Sequence, residues 1–186
     1  RQCEQRRQAR IATRAQDYEP MQIECTTPMK QLLIFYHSQT GHNERLAQAA
    51  YDGACALNQT LEADDRVRIV FKIARDVTLD DLVQSDAWLI ATPENFGYMA
   101  GEIKAVFDRS YNQIREQTAG RSYGLMISCD NDGRGAASAI ARIMVGYSMR
   151  LVQPELIVRG SAVTDEDVQR AYELGQYILG SVAIGL

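Results

Sequence analysis

Along the chain, short apolar runs alternate with longer stretches of helical spacing. Leu32-Leu33-Ile34-Phe35-Tyr36 is a continuous apolar run, the pattern of a parallel strand covered on both faces. A polar, glycine-containing turn follows. Residues 44–57 then place Leu46, Ala50, Ala54 and Leu57 near one helical face. The alternation repeats four more times. Further strands are expected at Val67-Arg68-Ile69-Val70-Phe71, Ala87-Trp88-Leu89-Ile90-Ala91, Tyr123-Gly124-Leu125-Met126-Ile127-Ser128 and Leu156-Ile157-Val158. Further helices are expected over 78–83 with Thr78 as cap, over 102–115, over 135–149, and over 165–179 with Thr164 as cap. The reading is an α/β, doubly wound three-layer sandwich around a five-stranded parallel sheet. A ligand in such a fold sits outside the carboxyl ends of the strands, where their order reverses. The turns after strands one, three and four are therefore where chemistry is to be sought.

Residues 1–29 break the pattern. Arg1, Arg6, Arg7, Arg10 and Arg14 crowd a stretch with little apolar periodicity. Glu4, Asp17, Glu19 and Glu24 make it too acidic for a transit peptide, and it has no apolar signal core. It is read as a disordered or peripheral extension, with Met21 and Met29 both preceding the first strand, and residues 30–186 as one domain. At 186 residues, 46% hydrophobic, the chain is long enough to bury a core without staples. The net charge of −4 and the sequence pI of about 5.2 argue against a nucleic-acid or anionic-membrane surface. No apolar run approaches the ~20 residues of a spanning helix. Cys3, Cys25, Cys55 and Cys129 are scattered with no C-x-x-C pair, which points to a reducing compartment, the cytoplasm.

The turn after strand one is His37-Ser38-Gln39-Thr40-Gly41-His42-Asn43, running straight into a helix. Ser38, Thr40 and Asn43 bring short hydroxyl and amide donors, Gly41 permits close backbone approach, and the helix start adds free N–H groups. With no Lys or Arg in the loop, an anion would be held by neutral donors, which suits a monophosphate ester without a metal. There is no G-x-x-x-x-G-K-[ST] and no G-x-G-x-x-G after this strand, which argues against P-loop and Rossmann sites. No acidic pair ends the strand and no cysteine lies in the loop, so receiver-domain and phosphatase chemistry are disfavoured. Taken alone, these residues leave two readings open: a phosphate cradle, or a polar β–α turn with a good helix cap.

After strand three comes Thr92-Pro93-Glu94-Asn95-Phe96-Gly97-Tyr98-Met99-Ala100-Gly101, leading into Lys104-Ala105-Val106-Phe107-Asp108-Arg109. Pro93 stiffens the turn, and Phe96 and Tyr98 offer aromatic faces for a flat heterocycle. Together with the S-Q-T-G-H-N loop, this segment resembles the flavodoxin-like NAD(P)H-dependent FMN oxidoreductases, the WrbA-type quinone reductases and FMN reductases among them. The likeness spans about residues 30–182. It implies a flavodoxin-like strand order of 2-1-3-4-5, bound FMN, NAD(P)H as electron donor and a quinone-like or other small acceptor. Carried over residue by residue, Ser38, Gln39, Thr40, Gly41, His42 and Asn43 would hold the FMN phosphate. Pro93, Glu94, Asn95, Phe96 and Gly97 would line the isoalloxazine ring. The family often has Thr-Arg or Thr-Tyr where this chain has Glu94-Asn95. A carboxylate there would disfavour the anionic reduced ring.

The third loop, Ser128-Cys129-Asp130-Asn131-Asp132-Gly133-Arg134-Gly135, lies where this family completes its flavin pocket. The resemblance assigns Asp130, Asn131 and Gly133 to that pocket as cofactor-binding residues. The residue types fit equally well a turn that bonds its own backbone. No acid–base residue is implied, and His37 and His42 are too few for a metal site. The small-residue runs at 135–139 and 175–180 fit helix packing within the chain or between copies in a homo-oligomer. Beside the enzyme stand two alternatives, a non-catalytic electron-carrier flavodoxin and a flavin-free interaction module. Residues 30–186 carry 20 acidic against 15 basic side chains, a modest imbalance for a carrier that steers to basic partners.

Overall fold

The structure, a computed structural model, describes residues 29–185. The Arg-rich extension therefore lies outside the described residues, apart from Met29. In chain order the elements are β1 Gln31–Tyr36, α1 His42–Thr60, β2 Arg68–Ile73, α2 Leu79–Gln84, β3 Ala87–Asn95, β4 Tyr98–Met99, α3 Gly101–Ile114, β5 Ser122–Cys129, α4 Arg134–Gly146, β6 Arg150–Leu151, β7 Leu156–Arg159 and α5 Asp165–Ile184.

The sheet runs β2-β1-β3-β5-β6, with β7 also on β5 and β4 on β3. All pairings except β3–β4 are parallel. Counting β6 and β7 as one interrupted strand, this is the expected doubly wound order. The interruption was not expected. Tyr123 faces Leu151 and Met126 faces Leu156, so two extra residues loop out around Pro154, which has no N–H to give a ladder.

The apolar runs are continuous because both faces of each central strand are covered. On β1, Leu33 and Phe35 enter one core while Leu32, Ile34 and Tyr36 enter the other. On β3, Trp88 and Ile90 go one way and Ala87, Leu89 and Ala91 the other. The first core includes Leu82, Phe107, Ile140 and Tyr147 from the α2–α4 side, with Trp88 edge-on to Tyr147 at 5.3 Å. The second packs α1 and α5 together, and the glycines set their separation. A Cβ on Gly175 would lie 1.9 Å from the Ala50 carbonyl oxygen, and one on Gly53 2.1 Å from that of Tyr172. These small residues serve contacts inside this chain.

One boundary differs from the sequence reading in a way that shapes the site. The turn expected after Ala91 is strand: β3 continues through Pro93, Glu94 and Asn95 and folds back as the hairpin to β4. Pro93 is tolerated because β1 has already ended, its last pairing being Tyr36 with Ala91, so the missing N–H faces no partner strand. The hairpin turn is Phe96-Gly97, with φ of 54° and 74°. Two positive φ values in succession make the mirror-image turn whose twist suits adjoining strands.

Candidate functional site

The three turns singled out by the sequence come together at the carboxyl edge of the sheet. Loop one is pinned by the His37 amide, which donates to the Ala91 carbonyl at 3.0 Å. The Ser38 hydroxyl accepts from the Gly41 amide at 3.0 Å, closing a tight turn. Gly41 then opens α1 with a φ of 89° and nothing within 4 Å of where its Cβ would be. The glycine is there for its backbone conformation.

No side chain caps α1. Of the other helices, α2 and α5 carry reciprocal capping boxes, Thr78 with Asp81 and Thr164 with Asp167, whereas the N-cap residues of α3 and α4, Ala100 and Gly133, make no side-chain cap either. The first-turn N–H groups of a helix have no intrahelical acceptor, and those of α1 receive none from the loop. Of the two readings left open by residues 38–43, the self-capped turn is thereby disfavoured. The Ser38 hydroxyl accepts from Gly41 and keeps its own O–H to donate, while Gln39 and Thr40 are exposed.

Asn43 does not face the loop surface. It is 1% exposed, and its Nδ2 donates to the Ser128 hydroxyl oxygen at 2.8 Å. Its Oδ1 is buried without a partner among the described residues. The side chain braces loop one against the end of β5, where loop three begins. Nothing in the local spacing marks Ser128 for this, since the partners lie 85 positions apart. Tyr36, the last residue of β1, donates to Glu44 Oε1 at 3.3 Å. Burial, reinforced by that carboxylate, pushes its phenol pKa up. These two residues, with His37, Ser38, Arg75 and Glu102, line a cleft of about 230 Å³ on the β2 side of loop one.

On the other side of loop one stands the β3–β4 hairpin. Thr92 is fully buried, and its hydroxyl accepts the Ala100 amide at 3.0 Å and donates to the Pro93 carbonyl at 3.0 Å. That pins the start of α3 to the strand, a role the sequence did not signal. Phe96, at the hairpin tip, is fully exposed despite its positive φ. Its aromatic side chain is thus held outward, on a backbone conformation that L residues seldom adopt.

Glu94 departs from the sequence expectation. Its side chain reaches across to the start of α4, where Oε2 accepts the Gly133 amide at 3.2 Å and Oε1 the Ala136 amide at 3.1 Å. It supplies from a neighbouring strand the cap and the acidic charge that α4 lacks in its own first turn. In loop three, Gly133 has a φ of 71° and is buried. Asp132 Oδ1 accepts the Arg134 amide at 3.0 Å, while Asp130 and Asn131 are exposed. Burial first, and the nearby Glu94 carboxylate second, push the Cys129 thiol up, so it is no reactive thiolate. Among the described residues no group of three or more His, Cys, Asp or Glu is placed to hold a metal ion, and no helix is long and apolar enough to cross a membrane.

Strand order and the flanking helices define a flavodoxin-like α/β fold. The solved structure of a flavodoxin, WrbA-like protein from Agrobacterium tumefaciens superposes with a TM-score of 0.67 over 84% of this chain and 98% of its own, at 16% identity. No family model matches the chain. In sequence it is similar to an NAD(P)H dehydrogenase (quinone) of Acidithiobacillus ferrooxidans, 30% identical over 101 residues, which is 47% of this chain and 50% of that one. It is also similar to the quinone-oxidoreductase QR2 of Triphysaria versicolor, 26% identical over 79% of this chain and 92% of that one. The chain thus spans about half the length of the first relative and most of the second.

Proposed function

We propose that the chain is an FMN-binding oxidoreductase that passes a hydride from NAD(P)H to a quinone-like or other small acceptor. The observation that carries this reading is the uncapped start of α1 at Gly41. It presents free N–H groups at the carboxyl end of β1, beside an exposed aromatic hairpin. Residues 38–43 supply neutral donors for one phosphate ester: main-chain amides at the helix start, with the hydroxyl of Thr40 and the side chain of Gln39 exposed beside them. Asn43 contributes from below, by holding the loop on Ser128. Pro93, Glu94, Asn95, Phe96 and Gly97 form the hairpin jaw, with Phe96 as the face offered to a flat ring, and Asp130, Asn131 and Gly133 form the opposite wall.

Bound FMN would supply the redox chemistry, taking up a hydride and giving electrons on. The protein's part would be to seat the phosphate, to hold the hairpin against the start of α4 in a fixed geometry, and to shield one face of the ring from water. None of the residues described needs to act as acid or base. The two relatives are named as an NAD(P)H dehydrogenase (quinone) and a quinone-oxidoreductase, which supports an enzyme over an electron carrier.

Mixing the FMN-loaded protein rapidly with NADH and with NADPH tests the reading. The flavin band is expected to bleach within seconds and to return on adding a quinone. A protein that holds FMN and accepts electrons from dithionite, but not from either nicotinamide, would be a carrier instead.

A further inference from the structure

Glu94 is the residue whose observed role and expected role diverge most. It lies on β3, half-buried, at the base of the hairpin, and both its oxygens are committed to α4. The fit is close. Gly135 sits between the two amides that Glu94 accepts, and a Cβ there would come within 2.0 Å of the Gly97 carbonyl oxygen and 2.9 Å of Glu94 Oε1. Hairpin and helix therefore touch backbone to backbone at the turn, with β4 packed on α4. One carboxylate closes the junction between the loop after β3 and the loop after β5, the two that frame the proposed ring site.

We propose that Glu94 is a positioning residue for the flavin: by capping α4 from β3 it locks the two jaws at a fixed spacing, and its charge is directed at the helix rather than at the ring. This rests on the flavin reading above. A carboxylate accepting two amides at a helix N-terminus is compensated by those dipoles. Its influence on the ring is thus geometric, and geometry acts alike on oxidised and reduced flavin.

The variants Glu94→Gln, Glu94→Asp and Glu94→Ala separate the two roles. Gln turns an N–H donor toward one of the helix amides. Asp keeps the charge but is one methylene too short to reach both. Ala removes the cap. All three are expected to weaken FMN binding at least tenfold in a fluorescence titration. The midpoint potential of the bound flavin should stay unchanged, because affinity for both redox states falls together. In the flavin-free protein, hydrogen exchange at the Gly133 and Ala136 amides should quicken, a readout independent of any cofactor. A charge acting on the ring would give the opposite pattern. Asp would behave as wild type, and Gln and Ala would raise the potential by about 30 mV for each tenfold gain in affinity for the two-electron-reduced flavin relative to the oxidised one. That pattern, or wild-type affinity in all three variants, overturns the proposal while leaving the flavin reading intact. Failure of the unmutated protein to take up FMN overturns both.

Discussion

The seam between α1 and α5 offers a test in which one substitution, made twice on one helix, should act with opposite signs. Gly175 and Gly180 both lie in α5. At Gly175 a Cβ would be 1.9 Å from the Ala50 carbonyl oxygen, whereas carbon and oxygen need about 3.3 Å even in a close C–H···O contact. The shortfall is well over an ångström, and it is backbone against backbone, so no side-chain rotation relieves it. At Gly180 the nearest atom is Leu57 Cδ2 at 3.5 Å, an ordinary contact. Replacing an interior helical glycine with alanine favours the helix by about 1 kcal/mol. Forcing extra volume into a packed seam costs about 3 kcal/mol at the upper end of the usual range. Gly175→Ala should therefore lose a net ~2 kcal/mol, or about 4–8 °C in Tm for a domain of this size. Gly180→Ala should gain up to about 1 kcal/mol. Urea unfolding followed by circular dichroism gives both numbers. A Gly175→Ala protein as stable as wild type would show that the two helices do not approach as described.

Two further outcomes follow from buried polar groups. Burial pushes the Tyr147 phenol up to about 12 from 10.0, against the lowering effect of its bond to Ser110. The stability this phenol contributes is in place below pH 10 and is lost as pH rises through about 12. Tyr147→Phe should cost about 1 kcal/mol at neutral pH, through lost hydrogen bonds. It should nevertheless show a shallower fall in urea midpoint from about pH 9 to pH 12, and parallel profiles would refute the assignment. Ser128→Ala leaves the buried Asn43 side chain without its partner and should cost about 1–3 kcal/mol. It should also weaken flavin uptake by loosening loop one; unchanged affinity would remove Asn43 from the bracing role.

The sheet was legible because each central strand is buried on both faces, and β1 and β3 announce this with unbroken apolar runs. The caps at Thr78 and Thr164 were equally readable, since a cap side chain and the amide it accepts from lie three positions apart. What escaped depends on partners distant in sequence. Pro93 reads as a turn because its effect on a ladder depends on whether a neighbouring strand is present, and here β1 has stopped. Phe96-Gly97 is an unusual pair for a mirror-image turn that Asn-Gly commonly fills, so the hairpin had no local signature. Glu94 was placed by resemblance on the flavin ring, but its acceptor role on α4 bridges about forty positions. Asn43 and Ser128 are twice as far apart again. The loops were found; how their side chains are spent was not.

The central claim is that the start of α1 seats a phosphate ester of a flavin. Titrating the flavin-free protein with FMN and, in parallel, with riboflavin tests it most directly, because the two ligands differ only in that ester. FMN should bind at micromolar concentrations or below, with its fluorescence altered, and riboflavin should bind at least tenfold more weakly. Equal affinity for the two would remove the phosphate from loop one, and no uptake of either would remove the flavin from the protein.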